Sequence, residues 1–407
     1  MLFRAQTVLH LTALTLTIAQ IARGQELTEK ELIERFFMES PQVRALRAGL
    51  ATTRAEVQGR TLYPNPSANY AREGAGFTEF LEFEQPLILT NRRSYLREAG
   101  AATIRAGEFS LELSFWEIRA ELRSVFYRLL EAQEKQRILQ SSMGELEEVV
   151  AILRRRENEG EGSRFDRLRV ERELSESHAD LAAAEAALAQ LRTMQAALVA
   201  APDIWNKKVV GNLTLPAPPP DVESLVARAL AIRQDLLAAA AQLERFAKEK
   251  LSAERLRIPD PVVRVGLKRG EGFPDTRTGS VIAVTVPIPL FNRGQAEVTR
   301  AEAEHEKASA RLDALERQIR AEVRAAHVAF ELRRALSDQY RLGTEKSGRE
   351  LVRIARIAYE EGEKSILELL DVYRASRQAE LRGLELLAAV KQAQIELDRV
   401  VGEEVFP

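Results

Sequence analysis

From Arg92 to Glu159 the chain contains no proline, and apolar residues recur every seven positions: Ile104, Leu111, Ile118, Val125, Ala132, Leu139, Leu146 and Leu153. Phe115, Leu122, Leu129, Met143 and Val150 fill the alternate positions, so the spacing runs 4-3-4-3 over at least six heptads. That period predicts coiled-coil packing. About 68 residues at ~1.5 Å each make a rod of roughly 100 Å, far longer than a compact core needs. Gly160-Glu161-Gly162 ends the run, and Ser163 with Asp166 reads as a helix start close to a capping box. A return helix to Ala200 carries its own seam at Val170, Leu174, Leu181, Ala184, Leu188, Leu191 and Leu198. Residues 92–200 thus read as an antiparallel helical hairpin.

Against this background Ile258–Gly294 stands out as a long stretch without helical character. Val263, Val265 and Leu267 alternate with Arg264, Gly266 and Lys268, the period of a half-buried strand. A loop from Gly270 to Gly279 and a second apolar run, Val281–Val286, complete a β-hairpin within 261–289. Prolines 259, 261, 287 and 289 bracket it, where they stop a helix without removing a ladder bond.

The same plan occurs earlier. Tyr63-Pro64-Asn65-Pro66 matches Ile258-Pro259-Asp260-Pro261, and Gln85-Pro86-Leu87-Ile88 opens a segment matching Val286-Pro287-Ile288-Pro289. Glu117–Arg123 matches Gln318–Arg324 at nearly the same separation. Matched proline brackets in matched order identify an internal duplication. The first hairpin, 66–88, places Leu81 and Phe83 on one face and Glu82 and Glu84 on the other, with its tip at Gly74-Ala75-Gly76. The expected organisation is therefore a first repeat over 25–201 and a proline-rich linker over 202–221, in which Trp205 and Lys207–Leu215 can form a small strand. A second repeat covers 222–401 and a tail 402–407. In the second repeat Val222–Arg257 reads as helix, and residues 295–401 form a helical hairpin. It turns at Gly362, with Ser365 and Glu368 forming a capping box. In the first, Leu27–Glu39 and Gln42–Thr61 read as helices.

The first 24 residues read as a secretory signal, with Arg4, an apolar Val8–Ile21 stretch and an Ala22-Arg23-Gly24 cleavage site. No later run is apolar enough for a transmembrane helix. Charged residues make up 29% with a net charge of −2, which gives no nucleic-acid footprint. There is no cysteine, so disulfides, thiolate metal sites and a cysteine nucleophile are excluded. His10, His178, His305 and His327 stand isolated, without a nucleophile or carboxylate at catalytic spacing. The expectation is a non-enzymatic protein without cofactor or metal site.

The chain resembles the TolC-like outer-membrane efflux proteins across nearly all of its mature length. The residues that carry the resemblance are Tyr63-Pro64-Asn65-Pro66, Glu84-Gln85-Pro86, Val286 through Gln295, and Tyr359-Glu360-Glu361-Gly362 through Leu370-Asp371. The segment ending in Gly294-Gln295 is most similar to the subgroup serving heavy-metal exporters of the resistance-nodulation-division class. The resemblance implies a mainly α fold with a small β part: a homotrimer whose chains each give four strands to one barrel in outer-membrane lipid and their helical hairpins to a periplasmic tunnel. It implies a periplasmic adaptor and an inner-membrane pump as partners, and a passive conduit exporting small molecules or metal ions. A periplasmic adaptor or coiled-coil partner of a pump is the competing reading, but an adaptor carries one helical hairpin where this chain has two.

Strand alternation, with the resemblance, places Glu82, Glu84, Arg264 and Lys268 in the barrel lumen. The resemblance further implies gate carboxylates at Glu368 and Asp371, a gate latch of Asp166, Lys364 and Tyr359, and adaptor-docking tips at Gly160, Gly162, Ser163, Gly362 and Ser365. For Glu368 and Asp166 a helix-capping role remains open beside the gate.

Overall fold

The structure is a computed structural model describing residues 26–74, 78–199, 207–271, 275–344 and 347–406. The expected signal, Trp205 and most of the first hairpin tip lie outside the described residues. In chain order the elements are β1 (Glu26–Leu27), α1 (Glu29–Glu39), α2 (Pro41–Thr61), β2 (Ser67–Glu73), β3 (Thr78–Pro86), α3 (Arg92–Asn158), α4 (Arg164–Val199) and β4 (Lys208–Val209). There follow α5 (Val222–Ile232), α6 (Gln234–Glu254), β5 (Val262–Gly270), β6 (Arg277–Thr285), α7 (Gln295–Thr344), α8 (Ser347–Glu360) and α9 (Ile366–Val401). The run read as one rod is one uninterrupted helix, α3.

Two elements differ from the sequence reading. Leu27 is not helical: it pairs in parallel with Val209, and α1 begins after Thr28, whose hydroxyl accepts from the Glu31 N–H at 3.2 Å. The expected helix Val222–Arg257 is two helices and a terminal 3-10 turn, because Arg233 is extended (φ −61°, ψ 126°). Asp235 fixes this break: its carboxylate accepts from the Leu236 N–H at 2.9 Å and pairs with Arg233 at 2.6 Å. An Arg-Gln-Asp run contains neither proline nor glycine, so the break leaves no ordinary breaker signal. The helix expected from Gln295 to the turn at Gly362 is described as α7 and α8, with residues 345 and 346 between them outside the described residues.

The chain divides into two compact units that cut across the sequence repeats. One comprises residues 45–114 and 230–319 and contains the sheet. Its strand order is β2-β3-β5-β6, antiparallel throughout, so the two hairpins of the duplication join edge to edge through β3 and β5. Register there sets Glu84 opposite Arg264, Phe83 opposite Val265 and Glu82 opposite Gly266. A Cβ on Gly266 would lie 2.3 Å from the Leu81 carbonyl oxygen, so glycine is what allows β3 and β5 this approach.

The other unit comprises residues up to 44, 115–229 and 320–407. Fully buried Leu122, Phe126 and Leu129 of α3 belong to its core, with Leu32 and Phe36 of α1, Val323 and Phe330 of α7, and Leu397 of α9. Within that core lies an ionic cluster. Arg123 donates to Asp398 at 2.9 Å and to Glu29 at 2.6 Å, Tyr127 donates to Glu29 at 2.7 Å, and the Val405 N–H donates to Asp398 at 2.9 Å. Burial pushes the Asp398 carboxyl up, against the pull of the Val405 N–H and Arg123.

Candidate functional site

The sheet presents two chemically distinct faces. Directly opposed residues of neighbouring strands point the same way, so Glu84, Arg264, Glu82, Phe80 and Lys268 share one face. The four residues assigned to a lumen therefore do lie together. Arg264 reaches Glu84 at 2.7 Å and Glu82 at 3.7 Å, and Lys268 sits 5.1 Å over the Phe80 ring. The opposite face carries Leu81, Phe83, Val265 and Leu267, continued on β6 by Ile282 and Val284, all exposed; Ile282 is 77% exposed. Six large apolar side chains on one side of a four-stranded sheet need a covering medium.

The two helical turns are near copies. Gly160 and Gly362 have φ of +79° and +78°, the left-handed conformation favoured at a helix C-terminus. In both, the glycine N–H donates three residues back at 3.1 Å, and the following N–H donates five back at 2.9 Å, onto Arg156 and Ala358. Two residues further on the turns differ. Gly162 lies against α3, where a Cβ would stand 2.7 Å from the Glu157 nitrogen, whereas the equivalent position in the second turn is Lys364.

Ser365 and Glu368 form the expected capping box: Ser365 Oγ accepts from the Glu368 N–H at 3.4 Å, and the Ser365 N–H donates to Glu368 Oε2 at 2.9 Å. Lys364 Nζ donates to the other carboxylate oxygen at 2.6 Å. Lys364 and the Ser365 N–H together hold the Glu368 carboxyl at about 2. Asp371, one turn on and exposed, pairs with Arg374 at 3.8 Å. Each carboxylate assigned to the gate thus has a cation beside it. Tyr359 packs against the apolar cluster of Leu153, Val170, Leu369 and Tyr373, with Arg156 5.7 Å over its ring. Burial, opposed by Arg156 and aided by Asp166, raises its hydroxyl. Asp166 and Tyr359 therefore share one neighbourhood, while Lys364 is engaged by Glu368.

A carboxylate depressed in the folded chain stabilises it above its ordinary range and loses that contribution as pH falls through the folded value. For Glu368 the window runs from 4.5 down to about 2. Pepsin cleavage within 362–368, normalised to an unfolded reference, is expected to accelerate across that window. In Ser365→Ala it is expected to be fast already at pH 4. Equal pH profiles for the two chains would show that the box does not hold the turn.

The sequence reading missed a second ionic group one to two turns further along. Glu173, only 5% exposed at its side chain, pairs with Arg374 and lies 3.8 Å from Arg377. Arg377 also donates to Ser177 Oγ at 2.9 Å. This group ties α4 to α9. Its sequence signal was the polar interruption of the α4 seam at Glu173 and Ser177, between Val170 and Leu181.

Comparison with known proteins bears on this geometry. Residues 225–403 match the family described as outer membrane efflux protein. The chain is 26% identical over 358 residues to the cobalt-zinc-cadmium resistance protein CzcC of Cupriavidus metallidurans, covering 87% of this chain and 84% of that protein. Among solved structures it is similar to the outer-membrane channel OprN, with a TM-score of 0.74, 19% identity and coverage of 93% and 91%. It is also similar to the outer membrane protein VceC from Vibrio cholerae, with a TM-score of 0.73, 16% identity and coverage of 93% and 96%. Duplicated helical hairpins and one four-stranded sheet with an apolar face make up this shared fold. Residues 225–403 are thus similar to the outer membrane efflux proteins, and nearly the whole chain shares the fold of solved outer-membrane channels.

Proposed function

We propose that this chain is the passive outer conduit of a tripartite efflux system, gated at its periplasmic tips, with metal ions as its cargo. The observation that carries the reading is the four-stranded sheet whose β2 and β6 edges are open and whose one face is apolar. Lipid tolerates no unpaired strand edge, and even small membrane barrels need about eight strands. Further copies must therefore close the barrel. Leu81, Phe83, Val265 and Leu267 then meet lipid, and Glu82, Glu84, Arg264 and Lys268 line the water-filled lumen.

In this reading the turns at Gly160, Gly162 and Ser163 and at Gly362 and Ser365 receive a periplasmic adaptor. Behind the adaptor stands an inner-membrane pump of the resistance-nodulation-division class, which supplies the energy. The likeness to a cobalt-zinc-cadmium resistance protein supports divalent metal ions as cargo. Among the described residues no group of three or more His, Cys, Asp or Glu side chains could hold a metal ion. Glu368 and Asp371 form the acidic constriction. A latch from Lys364 to Asp166 of a second copy requires Lys364 to leave Glu368, whereas the Glu173–Arg374–Arg377 group already restrains α9 within one chain.

The test uses a strain lacking the pump and adaptor. The chain is expected in the outer-membrane fraction and, in detergent, at trimer mass by light scattering. In planar bilayers Asp166→Ala/Lys364→Ala and Arg374→Ala/Arg377→Ala are each expected to raise single-channel conductance. Deleting the chain is expected to sensitise cells to zinc, cobalt or cadmium. A monodisperse monomer that is soluble without detergent sinks the conduit reading; unchanged conductance in both variants sinks the gate.

A further inference from the structure

The polar face of the sheet carries its charges in a definite order. From the helix-side ends of the strands to the hairpin tips, β3 and β5 form four rows on this face. Glu84 lies opposite Arg264, Glu82 opposite Gly266, Phe80 opposite Lys268, and Thr78 opposite Gly270. β2 and β6 add no charge to the first three rows and one of each sign, Glu73 and Arg277, to the fourth. Arg264 stands 2.7 Å from Glu84 and 3.7 Å from Glu82, so one guanidinium faces two carboxylates. The first two rows therefore carry a net charge of −1. Lys268 is exposed and shares its row with no carboxylate; its ammonium sits 5.1 Å over the Phe80 ring. An aromatic face holds an ammonium in place without neutralising it, so the third row carries +1, and the fourth cancels. The next carboxylates, Glu271 and Asp275, lie past the ladder, where a pore opens into bulk water and mobile ions screen them.

We infer, resting on the conduit reading, that the closed barrel has a lumen of two charged zones, negative on the helix side and positive at Lys268, which passes cations from the helices to the tips more readily than back. Every copy of the chain adds to each zone, so closure of the barrel multiplies both. About three residues separate the zones along a strand, roughly 10 Å at 3.3 Å per residue. The screening length is ~10 Å at 0.1 M salt and ~3 Å at 1 M. At the lower salt, wall charges reach ions well inside the lumen; at the higher salt they do not.

The direction follows from the order of the zones. Mobile cations gather beside Glu82 and Glu84, and mobile anions beside Lys268. A voltage that moves cations toward the tips drives both enriched populations into the boundary between the zones, where carriers accumulate and conductance rises. The opposite voltage draws both populations away from the boundary and depletes it. A passive pore moves nothing uphill, and without a driving force the asymmetry vanishes. When a pump pushes cations outward, the same asymmetry lowers the resistance in the working direction. Glu82, Glu84 and Lys268 thus set both the favoured charge and the favoured direction of the cargo.

The absence of cysteine lets the charge at one position be set chemically in an already folded channel. Currents are read in planar bilayers in the Arg374→Ala/Arg377→Ala background. In a separate chain, biotinylated Ser163→Cys, bound by streptavidin from one side only, fixes the direction of insertion. With Lys268 intact, the current at ~0.1 M salt is expected to be larger when cations move toward the tips, and the two directions to be nearly equal at ~1 M. Lys268→Cys is expected to lose most of that inequality. A cationic thiosulfonate on the new thiol is expected to restore it, and an anionic one to leave it lost. Glu368 and Asp371 can add an inequality of their own, but a reagent at position 268 leaves that part unchanged. Equal current ratios for the intact chain, Lys268→Cys and both adducts overturn the two-zone lumen, as does a thiol that neither reagent modifies; in both cases the channel still conducts and the conduit reading stands. A chain that forms no channel removes the conduit reading, and this inference with it.

Discussion

Replacing Arg123 by alanine is expected to destabilise the helical unit by about 3–5 kcal/mol, the range for stranding one partner of a buried ion pair. Asp398 is 1% exposed and receives the Arg123 guanidinium at 2.9 Å; its other oxygen receives the Val405 N–H. Without Arg123 a desolvated carboxylate keeps one neutral donor, and Glu29 loses its cation. Urea unfolding in detergent, followed by circular dichroism, is the measurement. The paired change Arg123→Met/Asp398→Leu removes both charges and is expected to recover most of the loss, since apolar replacement of a buried pair is often near neutral. A single Arg123→Ala chain as stable as the parent would falsify the assignment of this cluster as a structural clamp.

Gly266→Leu is expected to abolish trimer assembly. The added Cβ would meet the Leu81 carbonyl oxygen at 2.3 Å and Glu82 Cα at 2.8 Å, both backbone atoms that cannot move aside without parting β3 from β5. That seam is where the two copies of the duplicated hairpin join, so its loss leaves two isolated hairpins, each marginal on its own. Gly279→Val on β6 is the control, because a Cβ there meets nothing within 4 Å. Light scattering of detergent extracts should show trimer for the control and little for Gly266→Leu. Equal trimer yields would mean that the β3–β5 approach is looser than the register indicates.

Much of the fold was legible because long-range order here is written in local periods. A 4-3 repeat without proline dictated α3, and Ser365 with Glu368 dictated a capping box that the structure forms. The proline brackets located both hairpins, and alternation put Glu82, Glu84, Arg264 and Lys268 on one face. What stayed hidden was pairwise or lacked a breaker residue. The turn-side clamp of Glu173 with Arg374 and Arg377 joins residues two hundred positions apart, and a lone glutamate in a seam names no partner. The break at Arg233 is set by a single Asp235 carboxylate, and the strand at Leu27 exists only because Val209 lies beside it. On β6 the alternation was blurred, since Val281 and Ala283 place small apolar groups on the polar face.

The Arg123 cluster also constrains when this chain can finish folding. Glu29 lies at its beginning and Asp398 near its end, yet both bind one guanidinium on α3. The sheet, by contrast, draws only on strands between residues 67 and 285. A chain emerging from its N-terminus can therefore pair all four strands while the clamp still lacks its last partner. Closing so long a loop is slow relative to local helix formation. Until residue 398 arrives, Arg123 has only Glu29 of these two carboxylates as a counter-charge, and the helical unit stays open while the apolar face of the sheet is already built. That face stays uncovered by the helical unit for the whole interval.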